Sequence, residues 1–296
     1  MILKSSLSIC KKNWKPLSLL SVYTQLLYFP GTFGIFFILM LKDWNSKITV
    51  YNAILLLSAA LILGVYVFII TALQNIALIM FINSGEDKLH FRVILARSLT
   101  MLKDFWWLGF LNTIIIISGF VLLFIPGVIY FVRYYFSTYI LILDHIKGGR
   151  ALQASRELVK GRFWAILRRV IFAFFLYFLF YFILSFIPKA LYLPDPSRSA
   201  YWLMFGEPSK KITVNIVNNF INFIFSIFTG AVLTPVITTY HILLYKNAKQ
   251  LYGKPLTEIP EKSNIKIFLP AILVFIFFIG LIGMIIYRAI RFFWIW

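Results

Sequence analysis

Arg133 is the residue best placed to do chemistry, because it is a permanent cation inside an otherwise apolar run ending at Asp144-His145. A guanidinium in a membrane segment costs about 2.5–3.5 kcal/mol at the centre unless it is paired or reaches the headgroups. It lies six residues beyond Pro126-Gly127, roughly 9 Å along a helix. Two readings follow: it snorkels to the outer headgroups, or it is an anion-binding group. The sixth apolar run supplies possible companions. Asn215, Asn218, Asn219, Asn222, Ser226, Thr229, Gly230, Thr234, Thr238 and His241 recur along one helical stripe. Such a stripe faces the bundle interior or a wet cavity, and asparagines there commonly bond helix to helix. With Arg133 in the same outer half, Asn215, Asn219, Asn222 and Ser226 outline an outward polar pocket suited to an anionic or lipid headgroup.

The second cationic feature is dense rather than isolated. Lys147, Arg150, Arg156, Lys160, Arg162, Arg168 and Arg169 crowd one short stretch. Each is worth about 1 kcal/mol near an anionic leaflet. Phosphatidylglycerol- or cardiolipin-like headgroups are the expected partners, and the same charges also set topology.

Enzymatic chemistry has little to stand on. Asp144 and His145 are adjacent and so point about 100° apart on a helix, which makes no acid–base dyad. Metal-binding His/Glu helices, Cys pairs, phosphate-cradling glycine loops and nucleophile elbows are missing from the sequence. No catalytic residue, metal or cofactor is expected.

The elements that carry these residues are membrane helices. The chain is 61% hydrophobic and 13% charged, against about 45–50% and 25% in soluble domains. A net charge of +19 would suit a nucleic-acid binder, but the basic residues sit in short segments between apolar runs. That distribution belongs to the loops of a polytopic membrane protein. The single Cys10 excludes an internal disulfide, and the basic N-terminal segment is not expected to act as a cleavable leader.

Runs long enough to span occur at about 17–41, 51–82, 106–125, 128–144, 163–187, 213–245 and 267–290. The fourth is short enough to be tilted or re-entrant. With the N-terminus inside, inner segments carry more than twice the Lys and Arg of outer ones. The expectation is a multi-pass protein of the bacterial inner (cytoplasmic) membrane, N-terminus in and C-terminus out. Pro126 and Gly127 are expected to form a tight external hairpin, and Gly148-Gly149 to end the fourth helix. Gly161 is expected to turn the chain before Phe163-Trp164 re-enter the membrane.

A motif repeats three times. Ser6, Ser98 and Ser155 are each followed by an apolar residue after three positions, Lys after five and an aromatic after eight. Interfacial helices entering a membrane produce such a pattern, and so does duplication of a helix-plus-span unit.

The run Ile125-Pro126-Gly127, Arg133, Asp144, Gly149, Ala151-Leu152, Ser155, Leu158 and Lys160-Gly161-Arg162-Phe163-Trp164 resembles the membrane domain of glycerophosphoryl diester phosphodiesterases and its stand-alone relatives. Leu233-Thr234-Pro235 and Leu243-Leu244-Tyr245 resemble that family's closing span. The likeness covers about 98–253. It departs at Lys246-Asn247, where an acidic residue often follows, and in the additional C-terminal run from Phe268 to Ile290. The resemblance implies a multi-span bundle, in some members joined to a phosphodiesterase domain.

The expected fold is thus an all-α transmembrane bundle of six or seven spans with cytoplasmic amphipathic interfacial helices. It divides into a bundle over 1–253 and a linker plus one more helix over 254–296. The expected function is a non-enzymatic, lipid-interacting or scaffolding membrane component. Its partners would be anionic lipids, a membrane protein or a second copy, and no nucleic acid. The alternative is a transporter or permease for an anionic or lipid-like substrate.

Overall fold

The computed structural model describes residues 2–27, 50–84, 91–191, 208–258 and 265–295, and every regular element among them is helical. In a bilayer no water meets the backbone, so each segment must bond its own amides, and the helix does this locally. In order they are α1 (Ile2–Lys12), α2 (Trp14–Leu27), α3 (Val50–Ser84), α4 (Phe91–Leu122), α5 (Phe124–Arg133), α6 (Ser137–Asp144), α7 (Gly148–Val159), α8 (Phe163–Leu191), α9 (Pro208–Tyr252) and α10 (Ile265–Ile295), with a 3-10 turn at Leu256–Glu258. The fold is an all-α helical bundle.

Five stretches among the described residues are long and apolar enough to cross a membrane: Ser58–Ser84, Arg92–Val121, Phe124–Asp144, Phe163–Leu184 and Ile221–Tyr252. Ile276–Arg288 is a shorter apolar stretch. The expected first span is described only as far as Leu27. On α8, Phe174, Phe178, Phe182 and Phe186 are each about half exposed or more. A stripe of phenylalanines open to its surroundings is untenable in water but is what lipid chains cover. This is an integral, multi-pass membrane protein.

Contacts divide the chain into two compact units, Met1–Leu95 with Val170–Leu243, and Ala96–Arg169 with Leu244–Trp296. They interleave along the chain.

In the first unit α1 packs on α2, and α2 on α3. Cys10, Leu17, Leu20, Ala77, Leu78 and Phe81 form its core. Thr239 donates its hydroxyl proton to the Pro235 carbonyl at 2.8 Å. The Cys10 thiol, 3.3 Å from that hydroxyl, is therefore the donor and ties α1 to α9. Burial pushes the Cys10 thiol above its ordinary value of 9.0. A raised folded value means the protonated thiol stabilises the fold fully below about pH 9, and the contribution is lost as pH rises past the folded value. N-ethylmaleimide at neutral pH will label Cys10 in the denatured protein and leave the folded protein nearly unlabelled. Equal rates would show α1 undocked.

Two of the three expected turns are placed differently. The corner between the third and fourth spans is Leu123, whose backbone is extended (φ −168°, ψ 153°). Pro126 and Gly127 already lie in the first turn of α5. Proline is tolerated there because the first N–H groups of a helix have no partner within it. Gly127 is needed for closeness: an added Cβ would lie 2.5 Å from the Phe120 ring. The fourth span ends at His145, in the left-handed region (φ 59°), rather than at Gly148-Gly149. Lys147 is extended and opens α7, so both glycines belong to the next helix. Gly161 does turn the chain (φ 76°), in open space, so its requirement is conformational.

The threefold motif has a structural meaning. Ser6, Ser98 and Ser155 are all 0% exposed, whereas Lys11, Lys103 and Lys160 are exposed. Five residues of helix turn through about 140°, so a buried serine sends its lysine outward. In the first and third copies a break follows the lysine, at Asn13 and around Gly161, and the aromatic opens the next helix. The second copy has Asp104-Phe105 there, and α4 runs through it unbroken from Phe91.

Candidate functional site: a groove with a cationic end

The fourth span is broken in the middle. After Arg133 the chain makes a three-residue turn before α6 begins at Ser137. Tyr135 N–H bonds Val132 O at 3.3 Å and Ser137 N–H bonds Tyr134 O at 3.1 Å, both tighter than an α-helical step. That pattern leaves Phe136 N–H and Arg133 O without a helical partner. The Ser155 hydroxyl takes both, accepting from Phe136 N–H at 3.1 Å and donating to Arg133 O at 2.8 Å. A single buried hydroxyl on α7 thus holds the break open and fixes where Arg133 leaves the helix.

α7 is positioned by its apolar face. Ala151, Leu152, Ala154, Leu158 and Val159 are buried, and the helix packs against α5 and α6. Arg156 and Lys160, one turn apart, are on its exposed side.

The groove lies where α5, the end of α7 and the start of α8 meet. Its volume is about 610 Å³, within the range of about 300–1,000 Å³ typical of small-molecule sites. From α5 come Phe124, Ile125, Val128 and Ile129, with Arg133 one turn beyond Ile129. α8 contributes Phe163, Trp164 and Leu167. Arg156, Glu157, Val159, Lys160 and Gly161 complete the lining. Three cations face one carboxylate, and Glu157 is paired with Lys160 at 3.6 Å. Among the described residues neither Arg133 nor Arg156 makes an ion pair. Leu123, Phe124, Ile125 and Trp164 are each 70% exposed or more, so the apolar wall is open to the surroundings.

Three of the other five expected headgroup cations are engaged elsewhere. Lys147 pairs with Asp104 at 2.7 Å. Arg162 donates to Leu251 O at 2.7 Å, and Arg169 donates to Asn247 Oδ1 at 3.2 Å. Arg150 is half-buried and Arg168 is exposed.

The residues grouped from the sequence as an outward pocket are distributed over both units. Arg133 lines the groove of the second. Asn222 and Ser226 belong to the first and are exposed, the Ser226 hydroxyl donating to Phe223 O at 2.8 Å. The side chains of Asn215 and Asn219 lie outside the described residues. Sequence reasoning missed Arg156 and Lys160 as companions of Arg133, although their i, i+4 spacing placed both on one helix face.

It also missed the partners of Asp144. Tyr245 donates its hydroxyl, and Lys249 its ammonium, to the Asp144 carboxylate. Compared with family models, curated proteins and solved structures, the chain matches none.

Proposed function

We propose that this protein is a non-enzymatic component of the bacterial inner membrane that binds anionic lipid and organises it, or protein partners, around the second unit. The observation that carries this reading is the meeting of Arg133, Arg156 and Lys160 with an open apolar wall. Cations beside apolar surface suit a molecule with an anionic head and a hydrocarbon body. Arg168, exposed near the start of α8, adds a further basic contact for the leaflet surface. The excess of Lys and Arg in the inner segments supports an orientation with the N-terminus in the cytoplasm. The likeness of 98–253 to the membrane domain of glycerophosphoryl diester phosphodiesterases belongs to the same proposal. Native mass spectrometry of protein released from mixed-lipid nanodiscs tests it: anionic phospholipid should be retained in preference to zwitterionic.

A further inference from the structure

Resting on that reading, we infer that the groove is a discrete site for one anionic glycerophospholipid, its phosphate between Arg133, Arg156 and Lys160 and one acyl chain along α5. The walls dictate the orientation. Ile125, Ile129 and Arg133 follow one another at i, i+4 on α5, so a single stripe passes from apolar to cationic over about 12 Å. Phe124 and Val128 flank that stripe, and Trp164 and Leu167 close it from α8. Methylenes laid there meet side chains on both sides.

The polar end selects charge. Glu157 neutralises one of three cations, and an excess of two positive charges remains. A phosphodiester whose headgroup adds no cation satisfies that excess. A choline headgroup brings its own ammonium, which the guanidiniums repel. Arginine suits the phosphate, since its planar fork gives two parallel N–H bonds to paired oxygens. The Ser155 bridge supports the arrangement by holding the Arg133 backbone against α7, which carries Arg156 and Lys160. A lipid that merely coats the protein would have no reason to point its head at this end.

The test uses full-length protein in nanodiscs containing either of two photoactivatable lipids with a diazirine in the acyl chain, a phosphatidylglycerol and a phosphatidylcholine. Cross-linked peptides are mapped by mass spectrometry, and total retained lipid is measured on the same samples. The phosphatidylglycerol adducts should concentrate on Phe124–Ile129 and Phe163–Leu167, and the phosphatidylcholine adducts should spread over the exposed face of α8. In Arg133→Gln/Arg156→Gln, groove adducts of phosphatidylglycerol should fall roughly 30-fold, the effect of two headgroup charges. Ile129→Trp leaves the cations in place and fills the chain path, so it too should empty the groove. Identical maps for the two lipids, or groove adducts that survive both variants, would overturn the site while leaving the general anionic preference intact. Loss of any anionic preference in the wild-type protein would instead overturn the reading on which the site rests.

Discussion

Ser155→Ala will destabilise the protein by about 2–4 kcal/mol, because two buried backbone groups lose their only partner at about 1–3 kcal/mol each. The hydroxyl is 0% exposed, and water has no ready access to replace it. Phe136 N–H and Arg133 O cannot bond within the helix unless the turn at Tyr134–Phe136 rewinds. Rewinding would rotate α6 relative to α5 and pull Phe136, itself 0% exposed, out of its packing. Ser155→Cys, with a weaker donor of similar shape, should lie between the two. Unfolding of purified protein by graded SDS, followed by tryptophan fluorescence, reads the series. A Ser155→Ala protein as stable as wild type would mean that the break is held by packing alone.

Asp144→Ala should cost about 2–3 kcal/mol, most of it from the tyrosine. Tyr245 is 1% exposed and its ring stacks on Tyr139 and tilts against Phe136. Its hydroxyl would be left buried without an acceptor. Lys249 is 41% exposed and can turn to solvent, so its share of the ion pair is small. Tyr245→Phe removes the orphan along with the bond, at about 1 kcal/mol. The double variant should therefore be less destabilised than the sum of the singles, with a coupling of about 1 kcal/mol in the same SDS assay. Strict additivity would show that the two side chains do not bond.

The membrane class and helical fold were legible because apolar run length reports directly on the bilayer. The break in the fourth span was not. Arg133-Tyr-Tyr-Phe-Ser137 contains neither proline nor glycine, and its stabilising hydroxyl comes from a helix 19 residues beyond Phe136. Pro126-Gly127 misled for a related reason. The pair suits a tight turn and the first turn of a helix equally well, and the choice rests on Phe120, whose ring needs the space beside Gly127. His145 carried no turn signal that would distinguish it from the two glycines that follow.

The candidate site was half legible. Arg133 stood out by being charged in an apolar run. Arg156 and Lys160 were read as part of a general basic surface, because seven cations in one stretch look alike until contacts sort them. Lys147, Arg162 and Arg169 turn out to hold the second unit together. The same holds for Asp144, whose partners lie about a hundred residues later, one helical turn apart on α9.

The central claim is preference for anionic lipid at Arg133 and Arg156. Its most direct test is native mass spectrometry of wild type and Arg133→Gln/Arg156→Gln from nanodiscs of equal phosphatidylglycerol and phosphatidylcholine. The account predicts phosphatidylglycerol adducts that persist on the wild type after detergent and bulk lipid are stripped, and that are lost from the variant. Adducts of the two lipids in equal proportion on the wild type would contradict it.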